Sequence, residues 1–418
     1  MEVVHIATTD FGGAAQGMLI LHYALLERGV DSKVLVAEKT TNVESVYKME
    51  PNYQLFNWSK NELIKKGQKI LRRRGKLKTT SEYWLDKIRL VDTPDHNICF
   101  TSPFSQYDIT QHPLVQQADI IHLHWVGNFI DYTSFFNKIK KPVVWTLRDE
   151  NPGLGGFHYL SDKKTHGHYY AEIEDSFLST KKNAINGFDN LTLVALSDKM
   201  VDFCHNVDFL AHKNITKIYN AIDGSIFHCI DRTTARKALN LNIDSTIVSF
   251  VSVSLKDHRK GLLELMEAIK TLPKRVTVLC VGINDFFSNS EESVTCYGSV
   301  ENNDILSLIY SASDIFVTPS HQESFGKTTV EALLCGVPVI STPTGIAPEI
   351  INKENGILLQ NTTPQEIAQA ILTALDTKYD REDIRNGAIS LFNPARIVEQ
   401  HMGLYKSLLN PPSNLSTI

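Results

Sequence analysis

Short apolar, β-branched runs alternate with helical patterns along most of the chain, and no other sequence feature constrains the fold as strongly. The first half contains the runs VVHIA, SKVLVA, DIIHLHW, PVVWTL, LTLVALS and ITKIYN, and the second contains IVSFVSV, VTVLCVG, VTCYG, DIFVTPS, PVIST and GILL. Strands that alternate with helices form parallel sheets covered by helices on both faces. The alternation therefore predicts an α/β chain with two Rossmann-like, doubly wound domains.

The chain length and one polar segment divide the sequence into two domains. The 418 residues exceed what one ordinary core holds, and turn residues over 222–244 separate the halves. We expect an N-terminal domain over 1–225 with an insertion at about 43–112, and a second domain over 226–395. A helix from 396 is expected to pack back on the first domain before a frayed tail to 418. Because ligands of open parallel sheets bind beyond the carboxyl ends of the strands, we expect the site in a cleft between two facing domains.

Composition argues against several classes of protein. The formal net charge of −5 gives no whole-chain attraction to nucleic acid or to anionic membranes. The six cysteines lack metal-type spacing, which is typical of reduced core residues in a cytoplasmic protein. The sequence starts without a charged, cleavable leader, and no apolar stretch approaches the roughly 20 residues of a membrane span. We therefore expect a cytoplasmic protein with no nucleic-acid partner.

One segment, residues 60–78, is strongly basic, with nine Lys or Arg and one acidic residue. It permits two interpretations. It is either a solvated helix face or a surface for an anionic acceptor or for the inner membrane face, because clustered basic residues gain roughly 1 kcal/mol each near anionic lipid. In the second case its apolar side would consist of Trp58, Leu63, Ile64, Ile70 and Leu71.

The most informative motif is PSHQESFGKTTVEALLCGVPVIST, residues 319–342. A strand ends, a polar loop carries Glu323, and a helix opens near Gly326 with Glu331 in its second turn. Gly326 lets the backbone approach a ligand, and the N–H groups of the helix start suit a phosphate. Carboxylates beside phosphate sites hydrogen-bond sugar hydroxyls, so this arrangement predicts a nucleotide sugar. The alternative is a surface loop whose acidic residue stabilises the helix dipole.

This stretch, E-SFGKTTV-E, resembles the Glu-x7-Glu signature of the retaining glycosyltransferase family 4, which has the GT-B fold. The resemblance implies that Glu323 contacts the transferred sugar, that Glu331 holds the ribose hydroxyls, and that amides from Gly326 onwards bind the distal phosphate. It also implies donor contacts for the intervening residues, namely Ser324, Phe325, Gly326, Lys327 and Thr328. It further implies a UDP- or GDP-linked donor as substrate, no cofactor, and a glycan or lipid-linked acceptor in surface polysaccharide or lipopolysaccharide assembly.

A second motif, SLKDHRKGLLELMEAI at residues 254–269, places Arg259 and Lys260 before a helix. A diphosphate leaving group gains negative charge as its bond breaks, and losing one fixed cation there costs about 10²-fold or more in rate. Family members usually have an Arg five or six residues before the Lys-Gly pair, where this chain has Ser254 and Leu255. Either Arg259 replaces that Arg or the diphosphate is held less firmly. Ser254 stays a candidate donor contact.

A third motif, TLRDENPGLGGFHY at residues 146–159, carries Arg148, Asp149 and His158. Relatives often have His-Asp where this chain has Arg148-Asp149. We predict that Arg148 supplies, from across the cleft, the cation missing at Ser254, or that it reads an anionic group on donor or acceptor. By resemblance, Asp149 and His158 lie on the acceptor side.

Two further strand ends complete the candidate site. IIHLHWVGNFID, residues 120–131, offers His124, Trp125 and Asn128, an aromatic group with polar neighbours that suits stacking on a sugar; a buried, hydrogen-bonded His is the alternative for His124. DFGGAAQG follows the first strand, and Gly13 there permits close approach of a phosphate or an acceptor sugar. The segment lacks G-x-G-x-x-G, which disfavours a dinucleotide oxidoreductase.

Taken together, the motifs predict a retaining transferase that needs no metal, since the chain has no D-x-D sequence. Lys260, with Arg259 or Arg148, would neutralise the departing nucleotide diphosphate while Glu323 positions the donor sugar. By resemblance, the acceptor attacks on the face that the leaving group vacates. Two alternatives stay open, a nucleotide-sugar epimerase of the same fold and a catalytically silent sugar-binding subunit.

Overall fold

The structure, a computed structural model, describes residues 1–51, 61–73, 77–94, 98–284, 287 and 293–410. The strands within these ranges are β1 Glu2–Thr9, β2 Asp31–Glu38, β3 Val46–Lys48, β4 Ile120–Leu123, β5 Val143–Thr146, β6 Leu191–Ala195, β7 Asn214–Lys217, β8 Thr246–Ser254, β9 Val276–Ile283, β10 Val294–Cys296, β11 Ile315–Thr318, β12 Val339–Ser341 and β13 Gly356–Leu358. The helices are α1 Gly12–Glu27, α2 Glu62–Arg73, α3 Thr80–Arg89, α4 Pro113–Gln117, α5 Tyr132–Lys138, α6 Leu160–Asn186, α7 Asp198–Asn206, α8 Asp208–Ala211, α9 Arg232–Ala238, α10 Leu262–Lys270, α11 Asn303–Ala312, α12 Lys327–Leu334, α13 Ala347–Ile350, α14 Pro364–Asp376, α15 Arg381–Phe392 and α16 Pro394–Leu409.

Two parallel sheets carry the fold, as the alternating sequence pattern predicts. One has the strand order β3-β2-β1-β4-β5-β6-β7 and the other β10-β9-β8-β11-β12-β13. In each sheet the order reverses beside one central strand, at β1/β4 and at β8/β11. The loops that follow these paired strands diverge to opposite faces and leave a crevice, where doubly wound sheets bind their ligands. Four of the five predicted motifs lie directly after these four strands, and the fifth, TLRDENPGLGGFHY, follows β5.

The chain separates into two compact units, each with its own core. Unit 1 contains Met1–Ala195, Met200–Lys217 and the chain from His401 onwards, and unit 2 contains Leu196–Lys199 and Ile218–Gln400. The cores consist of apolar strand residues covered by helices, such as Ile121 in unit 1 and Phe316 in unit 2, both fully buried. The residues of helix α16 belong to unit 2 up to Gln400 and to unit 1 from His401. In its last turns, the hydroxyl of Tyr405 lies 2.6 Å from Nδ1 of His122 on β4.

Within the described residues of the basic segment, Glu62–Arg73 form one helix, α2. Helix α2 exposes four apolar side chains, Leu63 (80%), Ile64 (55%), Ile70 (53%) and Leu71 (40%). Trp58, Lys60 and residues 74–76 of the predicted surface lie outside the described residues, as does the predicted frayed tail at 411–418. Across the described ranges, none of the helices combines the length and the apolar character needed to cross a bilayer.

Candidate functional site

Glu323 is the point at which two distant motifs meet in unit 2. Its Oε1 lies 2.7 Å from Nζ of Lys260 and accepts a hydrogen bond from Oγ of Ser320 at 2.9 Å. Both charged side chains are partly exposed, at 27% for Lys260 and 16% for Glu323. The loop after β8 therefore presents its cation to the carboxylate of the loop after β11, and a ligand that enters here meets both charges.

Two glycines make this approach possible. Gly261 has φ of 73°, and a Cβ at this position would lie 2.2 Å from the carbonyl oxygen of Pro319. Gly345 has φ of 52°, and its Cβ would lie 2.5 Å from the carbonyl oxygen of Phe325. Any other residue would force these backbones apart, because L side chains rarely adopt positive φ and the contacts are too short for a methyl group. The sequence thus fixes both loops against the Glu323 loop.

The helix after Glu323 begins at Lys327, and Gly326 before it has φ of 87°. The first N–H groups of a helix have no carbonyl partner within the helix, so the turn at 326–328 offers donors to an anion. Oγ of Ser324 is buried and has no hydrogen-bond partner among the described residues. A buried hydroxyl without a partner costs about 1–3 kcal/mol, which a ligand oxygen or a water would recover.

Glu331 is 2% exposed and has two partners in the same unit. Its Oε1 lies 3.0 Å from Nζ of Lys327, and its Oε2 accepts a hydrogen bond from the hydroxyl of Tyr310 at 3.0 Å. Tyr310 comes from α11 and carries no signal in the motif, so sequence reasoning missed it.

Arg259 is engaged close to its own position. Its Nε and Nη2 donate to the two oxygens of Asp257 at 3.0 and 2.9 Å. Burial opposes ionisation of Asp257, but the hydrogen bonds and charge of Arg259 outweigh it and lower the pKa of that carboxyl. Such a bidentate pair is strong and directional. A role for Arg259 at a diphosphate requires its guanidinium to share or leave Asp257. Ser254 ends β8, and its Oγ accepts a hydrogen bond from the amide of Lys256 at 3.3 Å.

In unit 1, three predicted acceptor-side residues form one cluster. Nε1 of Trp125 donates to Oδ2 of Asp149 at 2.8 Å and lies 3.2 Å from Nδ1 of His158. Nδ1 of His158 lies 2.6 Å from the same Asp149 oxygen, and its Nε2 lies 2.9 Å from Oγ1 of Thr101. The rings of Trp125 and His158 face each other with centroids 5.2 Å apart.

The Asp149–His158 pair is buried and ionised. Burial lowers the pKa of His158, but the charge and hydrogen bond of Asp149 outweigh it and raise that pKa to about 9. Burial opposes the charged form of Asp149 as well, yet His158, the amide of Asn151 and Trp125 together lower its pKa. At neutral pH the cluster therefore holds one positive and one negative charge beside a partly exposed indole.

The loop that carries Asp149 and His158 rests on buried polar side chains that the sequence motifs do not include. Both carboxylate oxygens of Glu174 on α6 accept hydrogen bonds from backbone amides, one from Gly155 at 2.8 Å and one from Gly156 at 2.6 Å. Nζ of Lys181, also on α6, donates to the backbone and side-chain oxygens of Asn151 at 2.8 Å each. Burial lowers the pKa of Lys181 to about 7. These contacts hold the loop in one conformation.

His124 and Arg148 meet in a different, buried part of unit 1. Nη2 of Arg148 lies 2.9 Å from Nδ1 of His124, whose Nε2 lies 2.9 Å from Nδ1 of His5. Burial lowers the pKa of Arg148 to about 9. His124 is 2% exposed, so a ligand reaches it only by displacing these contacts. The role of Arg148 at an anionic group stays a prediction.

Among the described residues, one group of three side chains could hold a metal ion: His5, His122 and His124, whose ligand atoms lie within 4.8 Å of one another. The nitrogens of His122 lie 2.6 Å from the hydroxyl of Tyr405 and 2.7 Å from Oγ1 of Thr146. Those of His124 are engaged by His5 and Arg148, as described above. These hydrogen bonds and the adjacent guanidinium disfavour a cation, and the expected absence of a metal stays a prediction.

Two further predicted residues lie apart from these clusters. Asn128 is exposed, has φ of 59°, and accepts the amide of Ser102 with its side-chain oxygen at 2.8 Å. Gly13 lies in the first turn of α1, and a Cβ there would meet nothing within 4 Å. Asp10, just before α1, joins this loop to the loop after β2. Its carboxylate accepts hydrogen bonds from the amides and hydroxyls of Thr40 and Thr41 at 2.7 to 2.9 Å.

Comparison with known proteins finds likenesses over part of the chain. Residues 245–377 match the family model described as glycosyl transferases group 1. An uncharacterized glycosyltransferase of Methanocaldococcus jannaschii is 25% identical over 291 residues, which cover 66% of this chain and 70% of that protein. An uncharacterized 41.2 kDa protein in the cps region of Klebsiella pneumoniae is 27% identical over 306 residues, 69% of this chain and 79% of that protein.

A solved structure supports the same fold. The crystal structure of Anabaena HepE in complex with UDP-glucose covers 97% of this chain and 100% of that protein, with a TM-score of 0.61 and 18% identity. With the two parallel sheets, this likeness confirms the predicted GT-B fold. The matched range 245–377 includes both unit 2 motifs, that is, Lys260, Glu323 and Glu331.

Proposed function

We propose that this chain is a group 1 glycosyltransferase that transfers a sugar from a nucleotide-diphosphate sugar to a glycan or lipid-linked acceptor in surface polysaccharide assembly. The observation that carries the proposal is the Lys260–Glu323 pair at 2.7 Å, which follows β8 and β11 at the point where the strand order reverses. Ligands of doubly wound sheets bind at such a point. A cation for phosphate and a carboxylate for sugar hydroxyls are the two groups that a nucleotide sugar requires.

Each donor group has a matching partner in unit 2. Lys260 and the amides of 326–328 bind the diphosphate, Glu323 binds the transferred sugar, and Glu331 binds the ribose. The bond between the sugar C1 and the diphosphate oxygen breaks, and its electron pair goes to the diphosphate, whose growing charge Lys260 stabilises. The acceptor hydroxyl forms the new bond to C1 on the face that the diphosphate leaves and passes its proton to the departing diphosphate oxygen, so that the configuration at C1 is retained and no metal takes part.

The acceptor contacts belong to unit 1. Trp125 offers a partly exposed aromatic face, and Asp149 and His158 beside it supply fixed charge. An aromatic face beside hydrogen-bonding groups suits a saccharide ring. A similar protein, a capsular polysaccharide biosynthesis glycosyltransferase of Staphylococcus aureus that is 26% identical over 205 residues, supports a polysaccharide acceptor. The complex of HepE with UDP-glucose supports a UDP-linked donor, with GDP as the alternative base.

A panel of UDP-, GDP- and ADP-sugars tests the proposal. We expect nucleotide release that requires an acceptor and continues after metal is chelated. In Glu323→Ala the rate of this release should fall by about 10²-fold or more. Glu267→Ala, which removes an exposed carboxylate on α10, serves as the matched control and keeps wild-type release. Loss of release on chelation would refute metal independence. Equal activity in Glu323→Ala and wild type would refute the assigned role of Glu323.

The same panel separates the two alternatives. A nucleotide-sugar epimerase would convert the donor without any acceptor, which analysis of the nucleotide sugars reveals. A silent sugar-binding subunit would bind nucleotide and release none from any donor. Product analysis by the configuration of the new linkage decides between retention and inversion.

We further propose that helix α2 contacts the anionic inner membrane face. It presents Leu63, Ile64 and Ile70 beside Lys65 and Lys69, a pattern typical of helices that lie in a membrane surface. We expect the protein to float in a density gradient with vesicles that contain phosphatidylglycerol. It should remain at the bottom of the gradient when the vesicles contain phosphatidylcholine alone. Flotation should fall in Leu63→Gln/Ile70→Gln.

The matched control for the vesicle experiment is Ile243→Gln, an exposed apolar residue of unit 2 that is 42% exposed. It should float like wild type. Equal flotation with neutral and anionic vesicles, or no effect of the double substitution, would leave the solvated-helix interpretation of the basic segment.

A further inference from the structure

Glu331 keeps a charged carboxylate almost completely out of solvent, and its two oxygens are held by very different partners. Burying a carboxylate is costly unless it is paired and hydrogen-bonded. Oε2 accepts a hydrogen bond from the hydroxyl of Tyr310 at 3.0 Å, and Oε1 forms an ion pair with Nζ of Lys327 at 3.0 Å. Each carboxylate oxygen therefore has one partner within the protein.

Tyr310 is a fixed partner. It is fully buried, and its ring packs against Phe316 with centroids 5.4 Å apart and against Phe227 at 6.3 Å. Burial and the neighbouring charge of Glu331 raise its pKa well above the ordinary value, so the hydroxyl keeps its proton and donates. A rigid, packed donor of this kind orients the group that it binds.

Lys327 is an exchangeable partner. Its side chain is 25% exposed, lies one turn before Glu331 on the same helix, and extends over the ring of Phe227 at 5.9 Å. Ion pairs between exposed residues four apart on a helix contribute only about 0.3–0.5 kcal/mol, and the burial of Glu331 strengthens this pair while the exposure of Lys327 leaves the ammonium able to move. Lys327 is also the first residue of α12, next to the turn that offers amides to a phosphate.

We propose that Tyr310 is a positioning residue for ribose recognition, which holds Oε2 of Glu331 while Oε1 passes from Lys327 to a ribose hydroxyl when a donor binds. The inference rests on the proposed function. The diphosphate attracts the Lys327 ammonium, and the released Oε1 accepts a hydrogen bond from the ribose. Phosphate binding and ribose binding are thereby coupled through one carboxylate, and a nucleoside without phosphates has to compete with the lysine.

Equilibrium binding of UDP, GDP and their 2′- and 3′-deoxy analogues tests the position of Glu331 without turnover. In wild type, at least one deoxy analogue should bind on the order of tenfold more weakly than the ribonucleotide, since it leaves the carboxylate oxygen without its hydroxyl. In Tyr310→Phe, UDP or GDP should bind more weakly and this ratio should fall to within about twofold. A purely structural defect would weaken the ribonucleotide and the deoxy analogues by the same factor.

The matched control is Tyr219→Phe, because the Tyr219 hydroxyl makes a similar bond of 2.8 Å to Glu349 in the same unit. It should keep the wild-type ratio. An unchanged ratio in Tyr310→Phe would overturn the inference and leave the proposed function intact. Wild-type protein that binds none of these nucleotides would refute the proposed donor itself, and the inference with it.

A second variant covers the case in which Tyr310→Phe does not fold. Lys327→Met keeps the aliphatic stem over Phe227 and removes the ammonium. We expect UDP to bind more weakly, because one diphosphate contact is lost, and uridine to bind more tightly, because Oε1 has no competing cation. Parallel changes for UDP and uridine, or none for either, would overturn the exchange.

Discussion

Acidification from pH 7 to pH 5 should destabilise unit 1 through four buried histidines. His5 on β1 lies beside His122 and His124 at the end of β4, with ring centroids 4.2 Å apart for His122 and His124 and 5.1 Å apart for His5 and His122, and His22 on α1 lies with its ring centroid 6.0 Å from that of His5. Desolvation lowers the pKa of His22 to about 4 and lowers the pKa of the other three well below 6.5. All four are neutral in the folded protein at pH 7.

The sign and size of the effect follow from proton linkage. Below pH 6.5 these histidines bind protons in the unfolded chain but not in the folded protein, so the free energy of unfolding decreases as the pH falls. His22, with a folded pKa of about 4, costs about 2 kcal/mol at pH 5, and the lowered pKa values of the other three histidines add to this loss. The loss from His22 alone is already a substantial part of the whole stability of a typical domain, about 5–15 kcal/mol.

His158 acts in the opposite direction. Its folded pKa is raised to about 9 by Asp149 despite burial, so the stability that it contributes is complete below pH 6.5 and is lost as the pH rises from 6.5 to 9. It does not change between pH 6.5 and 5 and therefore cannot mask the loss from the buried histidines. We expect unit 1 to be most stable near neutral pH.

Urea unfolding followed by tryptophan fluorescence measures this effect, because all four tryptophans, Trp58, Trp84, Trp125 and Trp145, precede residue 195 and report on unit 1. The unfolding midpoint should fall steeply between pH 6.5 and 5. The slope of the unfolding free energy against pH should correspond to one proton fewer in His22→Gln than in wild type. His205→Gln, at an exposed position, should leave this slope unchanged. A midpoint that is constant over this range, or equal slopes in wild type and His22→Gln, would refute the reasoning.

Three further substitutions test the loops around the site. Gly261→Ala places a Cβ 2.2 Å from the carbonyl oxygen of Pro319 and requires a positive φ, so we expect a loss of about 1–3 kcal/mol in unfolding free energy and a loss of nucleotide affinity; wild-type affinity would contradict the packing of these two loops. Asp149→Asn removes the main cause of the raised His158 pKa, which should fall from about 9 to below 6.5 in an NMR titration; a value that stays near 9 would contradict the assigned pairing. Glu174→Gln withdraws a charged acceptor from two loop amides and should cost about 1.5–3 kcal/mol, measured by urea unfolding, with no effect on donor binding if donor contacts belong to unit 2 alone.

Much of the fold could be predicted from the sequence, because the features that determine it are local and periodic. The apolar runs at 247–253 and 314–320 each encode one strand by their own hydrophobicity, and repetition of the strand-helix pattern implies a parallel sheet. The position of Glu323 after one strand and of Lys260 after another placed both at the carboxyl edge of a sheet. Their direct contact was not predicted, since it depends on which strands are neighbours.

The prediction for His124 left two alternatives open, and the structure shows a buried side chain with both ring nitrogens engaged. Arg259 likewise has a carboxylate partner two residues away that the motif does not reveal. In both cases the sequence supplied the residue type and its approximate location. It did not supply the competing partner, which decides whether the side chain is available.

The sequence alone determined the strands, the glycines that later needed positive φ, and the residues that carry charge at the ends of strands, because each of these follows from a short stretch of chain. Only the tertiary structure decided which buried groups hold them. Tyr310 reaches Glu331 from 21 residues away and Lys181 reaches Asn151 from 30, both from helices whose sequences carry no such signal. A buried polar contact is set by the packing of whole elements against one another, and that packing is specified by the summed burial of many residues rather than by any motif.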